Sequence, residues 1–407
     1  MHLSDVCRSV IHGLSFLISV VIRDLSRYPK LRRRLLQLFL AIFVIWSTAD
    51  VFLVHRHFNE EQTHLDYKPL RRQRIFIASA LWNNERSLPG HWGDVIVDLA
   101  NVFGSDNLFV SVHETGSSDG TKDALHNFDK KLESANIGRS IAFADQPPDD
   151  KALLDLNPAD PRRISYIAGL RNKSLRPLFQ LRDDGIFFDR ILFLSDVFFT
   201  KTDVISLLNT NYGTYTAACS FDITKPSTKS DALALRDVDG YEQVMQKWPF
   251  FRAAESRDPM KYMLPVPVRS CWGGMVFMGT EAIYSSRPIQ FRGIPGGLAD
   301  KNAVASEGCL IHADNPFSKR RGVYLNPFVR VGHSAAEHPA GRSTGHWLST
   351  WQIFESIWEN RFRRFIHPPF LEGWSVQSRL SAWMAEDENN SERGDYCLAD
   401  QTQAMVS

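Results

Sequence analysis

The segment RILFLSDVFF, Arg190 to Phe199, reads as a buried β-strand that ends on a single carboxylate. Residues 191–194 are all apolar, which is typical of a strand covered on both faces of its sheet. Asp196 follows almost at once, and a buried carboxylate without a partner costs free energy. We therefore expect Asp196 to lie at the tip of the strand, either in water or bound to a cation.

Strands and helices alternate before this segment. RIFIASAL (residues 74–81) and NLFVSVHE (residues 107–114) predict strands, and apolar residues at helical spacing follow each of them. YIAGLRNKSLRPLFQL predicts a third helix before the strand at 190–194. This alternation predicts an α/β fold with a mainly parallel central sheet and helices on both faces. Ligands of such sheets bind beyond the carboxyl ends of the strands, where Glu114 and Asp196 lie.

The second half of the chain is less regular. TYTAACSFDI, GMVFMG and GVYLNPFVRVGH predict strands, FRGIPGGLADKNAVASEG predicts a long loop, and residues 352–365 predict a helix with aromatic residues at helical spacing. The chain is polar from Glu386 onward, so we expect residues 386–407 to be disordered. The folded domain is therefore predicted over residues 74–385.

The N-terminal part contains the run LLQLFLAIFVIWSTADVFLV at residues 35–54, which is long and apolar enough to span a bilayer. The tail at residues 1–34 is basic, whereas Arg56 is the one basic residue close behind the run. The positive-inside rule then places the tail in the cytosol and the rest of the chain across the membrane. Residues 55–73 predict a polar stem. A buried helix or a cleaved signal sequence is the alternative.

Composition and cysteine content set further limits. The net charge of +1 gives no case for a nucleic-acid partner. Four cysteines follow the apolar run, and in an oxidising compartment they allow three disulfide pairings that the sequence leaves open. The triplets NKS at Asn172 and NNS at Asn389 are potential glycosylation acceptors there.

Polar residues follow several predicted strands. WNNE (residues 82–85) follows the first, ETGSSDGT (residues 114–121) follows the second, Asp196 ends the apolar strand, and His333 ends a late one. Each alone has an ordinary structural explanation, such as a helix N-cap or a solvated histidine. Their order and their common position at strand ends favour one functional site.

With these features the chain resembles the GT-A glycosyltransferases. More narrowly, it resembles the fungal α-1,3-mannosyltransferases of the cryptococcal mannosyltransferase and capsule-associated protein family, glycosyltransferase family 69. The motifs that carry the resemblance lie in order between Arg74 and His333: RIFIASALWNNE, VSVHETGSSDGT, GLRNKSLRPL, FDRILFLSDVFF, ALALRDVDG, SCWGGMVFM, SEGCLIHAD and RGVYLNPFVRVGH. The resemblance implies a GT-A fold, a GDP-mannose donor, Mn²⁺ or Mg²⁺, and α-linked mannose transferred with retention to a mannose-containing glycan. Together with the apolar run and the basic tail before it, this predicts a single-pass type II enzyme of the Golgi or ER membrane.

The resemblance also implies roles for particular residues. A divalent cation, held by Asp196 and His333, would neutralise the diphosphate leaving group. The residues implied in donor binding are Asn84, Glu85, Glu114, Asp119 and Arg171. The usual GT-A signature has two acids with one residue between them, whereas this chain reads LSD and lacks the first acid.

The second half is expected to hold the acceptor. The residues implied in acceptor binding are Trp272, Gly273, Gly274, Asp237 and Asp239. Glu307 is expected to stabilise a cation-like transition state or to position the acceptor hydroxyl. A core tryptophan beside a strand bulge, and a solvated turn at the two aspartates, are the alternatives.

Two other functions remain open at this point. The chain could be a non-catalytic member of the fold that serves polysaccharide assembly or export, and the missing first acid favours that view. A glycosidase would need two carboxylates at a defined separation across a cleft, and no such pair stands out in the sequence.

Overall fold

A computed structural model of the chain describes residues 29–60, 73–144, 151–222, 233–245, 247–333, 348–366 and 374–406. The strands are β1 (Ile75–Leu81), β2 (Leu108–Glu114), β3 (Gly138–Ala142), β4 (Arg190–Leu194), β5 (Ala217–Asp222), β6 (Arg236–Asp237), β7 (Val266–Ser270), β8 (Met275–Gly279), β9 (Ala303–Val304), β10 (Val323–Val331) and β11 (Ala399–Asp400). The α-helices are α1 (Pro29–Glu60), α2 (Gly93–Phe103), α3 (Thr121–Ser134), α4 (Lys151–Leu154), α5 (Pro161–Ser174), α6 (Arg176–Asp183), α7 (Lys201–Leu208), α8 (Ala254–Lys261), α9 (Gly296–Ala299), α10 (Glu307–Asp314), α11 (Ser318–Arg321), α12 (Thr350–Ile366), α13 (Trp374–Met384) and α14 (Gln401–Val406).

Nine of these strands form one sheet in the order β3-β2-β1-β4-β8-β5-β10-β7-β6. β3, β2, β1 and β4 are parallel neighbours, and β5 and β10 are parallel to each other. β8 and β7 pair antiparallel with their neighbours, so they run in the direction opposite to that of the remaining strands. The predicted α/β fold with a mainly parallel sheet is therefore confirmed.

Helices cover both faces of this sheet because alternate residues of a strand point to opposite sides. Ile75 and Ile77 of β1 belong to a buried cluster that includes apolar residues of α2, α3 and α7. Phe76, between them, stacks on Phe109 with ring centroids 5.4 Å apart. On that second face α5 packs against β1 and β2. The Ser111 side chain of β2 donates a hydrogen bond to the backbone carbonyl of Ser174, the last residue of α5.

The carboxyl ends of the parallel strands bring the predicted polar loops together. Leu81, at the end of β1, lies beside Glu114, at the end of β2. β4 is on the other side of β1 and leads directly to Asp196. An isolated antiparallel bridge joins Phe198 to Gly332, so the segment after β10 lies beside the segment after β4.

The C-terminal segment corrects one prediction. Residues 386–406, expected to be disordered, are folded onto the domain: β11 pairs with β9, and the buried Cys397 forms a disulfide with Cys309. Arg292 adds ion pairs to Asp314 and Glu392. A mostly polar sequence is ordered in this way because the disulfide and the ion pairs add to the burial of its few apolar residues, among them Leu398 and Ala399.

Other expectations of the second half can be compared directly. The helix predicted at 352–365 is confirmed as α12, whereas the predicted loop over 291–308 contains the short elements α9 and β9. Cys219 forms a disulfide with Cys271, which settles the pairing that the sequence left open. The folded part therefore extends beyond the predicted end at residue 385.

The described part of the chain divides into two units, one that ends at Arg56 and one that begins at His57. Within α1, residues Arg33–Arg56 are long and apolar enough to cross a membrane, and they include the predicted anchor at 35–54. This statement concerns only the length and composition of the helix, and a signal sequence has the same two properties. The basic tail up to residue 28 and stem residues 61–72 lie outside the described residues.

Candidate active site

A cleft of ≈ 310 Å³ lies at the carboxyl ends of β1 and β4. Its walls are formed by the ends of these strands, by one face of α5 and by the turn between β7 and β8. Four of the predicted residues line it: Asn84, Arg171, Asp196 and Trp272. This is the position at which α/β sheets bind their ligands, so we take the cleft as the candidate active site.

Asn84 holds the carboxylate of Asp196 in place. Its Nδ2 donates a hydrogen bond to Asp196 Oδ2 at 2.8 Å, and its own Oδ1 accepts one from the Trp82 backbone at 2.8 Å. The backbone N–H of Asn84 donates a hydrogen bond to Thr121 Oγ1 at 2.7 Å. Because Asn84 is buried and bonded at three points, it fixes one oxygen of Asp196 at the wall of the cleft.

Glu85 and Asp119 join the two loops that follow β1 and β2. The Gly120 amide donates to Glu85 Oε2 at 3.1 Å, and the Glu85 amide donates to Asp119 Oδ2 at 3.1 Å. Burial raises the pKa of Asp119, but hydrogen bonds from Thr121 and Glu85 outweigh it and hold that pKa below its usual value. Neither carboxylate lines the cleft; both are bonded to loop backbone.

Glu114 is fully buried at the end of β2, behind the cleft wall. Its Oε1 accepts a hydrogen bond from the Ser117 amide, and Lys122 Nζ lies 4.0 Å from its Oε2. The neighbouring Thr115 lines the cleft instead. In this position Glu114 shapes the loop ETGSSDGT, whereas the largely buried Thr115 forms part of the cleft wall.

Arg171 lies between an aromatic ring and a carboxylate. Its guanidinium carbon is 3.9 Å from the centre of the Trp272 ring, and its Nη2 is 3.1 Å from Glu307 Oε1. A Cβ on Gly308 would lie 2.9 Å from Trp272, so the tryptophan is also covered from α10. Arg171 therefore covers one face of Trp272, a residue that was implied in acceptor binding, and Glu307 is the ion-pair partner of Arg171.

Gly273 and Gly274 permit a close approach of backbone segments. A Cβ on Gly273 would lie 1.9 Å from the carbonyl oxygen of Ser220. Gly274 has φ +82°, and its carbonyl accepts a hydrogen bond from the Ser195 amide at 2.9 Å. The glycine pair thus places the start of β8 against β5 and against the segment that leads to Asp196.

Asp237 and Asp239 lie at the β6 edge of the sheet and do not line the cleft. The buried Asp237 accepts hydrogen bonds from the amides of Asp239, Tyr241 and Ala253. Burial raises the pKa of Asp237 above its usual value, although these bonds oppose the shift. Asp237 therefore binds the backbone of the turn that follows β6, and because it is buried the motif is not the solvated turn given as the alternative.

His333 follows the carboxyl end of β10, as Asp196 follows the carboxyl end of β4, and it is not one of the residues that line the cleft. Its Nε2 is 3.7 Å from Asp222 Oδ2, and its side chain is 46% exposed. The bridge between Phe198 and Gly332 carries it beside the Asp196 segment. Carboxylate oxygens and an imidazole nitrogen are donor types that Mn²⁺ accepts. In the described part of the chain, however, the ligand atoms of Asp196, Asp222 and His333 do not all lie within 4.8 Å of one another.

The group of possible metal ligands that the described residues do bring within 4.8 Å of one another consists of Cys219, Cys271 and His312. The two sulfur atoms form a disulfide and therefore offer no thiolate. His312 Nε2 is hydrogen-bonded to the carbonyl of Cys271 at 2.9 Å. This group is structural.

Three residues of the site were not predicted: Thr115, Arg163 and Asp222. Arg163 lines the cleft eight residues before Arg171 on α5, and this helical spacing is the signal that could have identified it. Asp222 ends β5, as Asp196 ends β4, so its strand-end position was a second signal.

Comparisons with known proteins add the family. The family model described as cryptococcal mannosyltransferase 1 matches residues 74–314, which contain the whole cleft. The chain is 24% identical over 270 residues to the alpha-1,3-mannosyltransferase CMT1 of Cryptococcus neoformans var. neoformans serotype D. That match covers 63% of this chain and 56% of the relative, so the chain spans little more than half of the relative's length.

Two solved structures resemble the chain at a distance. The mannosyltransferase PcManGT from Pyrobaculum calidifontis, in complex with GDP-Man and Mn²⁺, is 13% identical with a TM-score of 0.36, over 86% of this chain and 89% of that one. S. aureus TarS 1-349 is 11% identical with a TM-score of 0.36, over 76% and 80%. Likenesses this distant add nothing to the α/β class with a mainly parallel sheet, which the strand order shows by itself. Because the family model spans more than half of the chain, this protein belongs to the cryptococcal mannosyltransferase 1 family.

Proposed function

We propose that this protein is a glycosyltransferase that moves mannose from GDP-mannose to a hydroxyl of a mannose-containing glycan, with an α-1,3 linkage and retained configuration. One observation carries the proposal: Asp196, fixed by Asn84, borders the strand-end cleft inside the region that matches the family. The name of the relative from C. neoformans supplies the sugar and the linkage.

The proposed chemistry follows from the charge of the leaving group. A nucleoside diphosphate leaves slowly unless its negative charges are neutralised, and a divalent cation supplies that neutralisation as a Lewis acid. Asp196 and His333 would hold the cation. Arg171, stacked and ion-paired, presents a fixed guanidinium to phosphate oxygens. The cleft walls exclude water from the donor, which limits hydrolysis in place of transfer.

We also propose that α1 anchors the protein in the Golgi or ER membrane, with the folded unit on the lumenal side. The apolar length of Arg33–Arg56 supports the anchor. The disulfides Cys219–Cys271 and Cys309–Cys397 support an oxidising compartment, because cytosolic thiols are kept reduced.

The test is a panel of nucleotide sugars offered to the full chain in detergent, with and without Mn²⁺, and with mannosides as acceptors. The proposal expects GDP release from GDP-mannose that depends on both Mn²⁺ and a mannoside. Release from a different nucleotide sugar would refute the donor, and undiminished release after chelation of metal would refute the cation.

One observation favours a second candidate, a non-catalytic member of the fold that serves polysaccharide assembly or export. The position of the missing first acid is Leu194, whose side chain is buried and cannot bind a cation. This candidate expects no GDP release with any mannoside, although the chain would still be needed for assembly of the polysaccharide.

A further inference from the structure

We propose that Arg163 and Arg171, which line one cleft from the same helix, form a two-arginine site that binds the diphosphate of a nucleoside diphosphate. The inference rests on the proposed function and adds Arg163 as a binding residue, with Glu307 as the residue that positions Arg171.

The two arginines lie on one helix and face one cleft. Both are on α5, eight residues apart, and both line the cleft together with Ile167 and Leu170 of the same helical face. At a rise of about 1.5 Å per residue their Cα atoms are about 12 Å apart along the helix. Their long side chains can therefore reach a ligand from two directions.

Arg171 is the fixed member of the pair. Trp272 stacks on its guanidinium at 3.9 Å, and Glu307 binds its Nη2 at 3.1 Å. The ion pair is largely buried, with the Glu307 side chain 8% exposed. A planar guanidinium held in this way presents its remaining N–H donors in a defined direction.

Arg163 is the less satisfied member. Its Nε is buried without a hydrogen-bond partner, and its Nη1 makes one long hydrogen bond, 3.4 Å, to the carbonyl of Leu156. In the described part of the chain no carboxylate lies within ion-pair distance of it. Burial lowers the pKa of Arg163, while the charge of Glu307 opposes that shift. A partly desolvated guanidinium with unused donors is suited to an anionic ligand.

The charges decide the class of ligand. Glu307 pairs with Arg171, whereas Asp155, which also acts on Arg163, is exposed to solvent and lies beyond ion-pair distance, so the charge of Arg163 is not neutralised by a direct partner in the described part of the chain. A diphosphate offers several oxygens in a small volume, which two forked donors can bind at once. A neutral sugar would leave that charge uncompensated, so the arginines are placed for the phosphates.

The neighbouring Arg162 provides a matched control. It lies on the same first turn of α5 but points to solvent, 70% exposed, and pairs with Asp160 at 2.8 Å. R162Q and R163Q therefore remove the same charge from the same turn, one outside the cleft and one inside it.

The experiment measures binding of GDP and of GMP to the full chain in detergent by calorimetry. A charge-assisted hydrogen bond contributes enough that R163Q is expected to weaken GDP binding about tenfold or more. GMP should lose less, R162Q should match the wild type, and R163K should lie between, because lysine keeps the charge but loses the fork.

The possible results separate the two proposals. Equal GDP affinities of R163Q and R162Q would overturn the two-arginine site and leave the proposed function intact. A wild type that binds neither nucleotide would overturn both. If thermal unfolding shows that R163Q does not fold, R163K decides the question, since GDP affinity equal to that of the wild type would overturn the inference.

Discussion

Asp196 is the residue on which the proposed chemistry depends. D196N keeps the size of the side chain and removes its charge, so a divalent cation loses its strongest ligand. We expect GDP release to fall by at least about a hundredfold, with little change in stability, because Asp196 is only partly buried. D94N, at an exposed acid paired with Lys131, is the control. Full activity of folded D196N would remove the residue from the site.

Gly273 and Gly274 support the site through close backbone packing and not through contact with a substrate. G273A would place a methyl group 1.9 Å from a backbone oxygen, which the structure can relieve only by shifting β5 or β8. We expect a loss of about 1–3 kcal/mol in the free energy of unfolding. G169A, in a helix with open space around its Cβ, should gain up to about 1 kcal/mol. Urea unfolding of both variants measures the contrast, and equal stabilities would contradict the argument.

The residue scale also shows where the sequence informs and where it does not. Asp196 could be predicted because a carboxylate at the end of an apolar strand needs a local explanation. Arg163 was missed because a single arginine on a charged helix looks like a solvated residue. Trp272 could not be assigned from its own motif, since the Arg171 that covers it lies far away in the sequence.

At the scale of elements, local periodicity was sufficient for β1, β2, β4, β5, β8 and β10, whereas the short strands β3, β6 and β7 were not predicted. It failed for the C-terminal segment, because the contacts that order residues 386–406 are a long-range disulfide and ion pairs. Such contacts leave no periodic signal, whereas the composition of the segment matched that of a disordered tail. The same limit applied to the disulfide pairing, which depends on the folded positions of four cysteines.

The two glycosylation triplets differ in the elements that carry them. Asn172, in α5, donates from Nδ2 to the carbonyl of Phe291 at 2.8 Å and accepts from its amide at 2.9 Å. A glycan is attached through that same nitrogen, so the modified side chain could not pack there. Asn389 is exposed, and its Nδ2 bonds only to the nearby Asp387 in the described part of the chain.

We therefore expect a glycan at Asn389 and none at Asn172 when the full chain is made in a eukaryotic secretory pathway. N389Q should abolish the mass shift that an N-glycosidase produces, whereas N172Q should leave it unchanged. A glycan found at Asn172 by mass spectrometry would contradict the packing argument. No glycan at either site would count against a lumenal domain.

For the whole molecule, the stability of the folded unit should depend on pH through buried histidines. His312 is completely buried against the Cys219–Cys271 disulfide, and burial lowers its pKa to about 4. Burial is also the main cause that lowers the pKa of His113 to about 4. An unfolded histidine binds a proton near pH 6.5. Between about pH 6.5 and about pH 4, these two histidines are therefore protonated in the unfolded chain but remain neutral in the folded chain.

The contribution of the neutral histidines to the free energy of unfolding is therefore fully present above about pH 6.5 and is lost progressively below it. His312 alone accounts for a loss of about 2 kcal/mol by about pH 5. Asp237, whose pKa burial raises, acts in the opposite direction, so a variant must isolate the histidine. Chemical unfolding of the wild type and of H312Q at about pH 7 and about pH 5 makes the comparison, with H126Q at an exposed helix position as the control. H312Q should lose less stability than the other two proteins on acidification, because glutamine cannot take up the proton. Equal losses in all three would show that His312 is not held neutral by its surroundings.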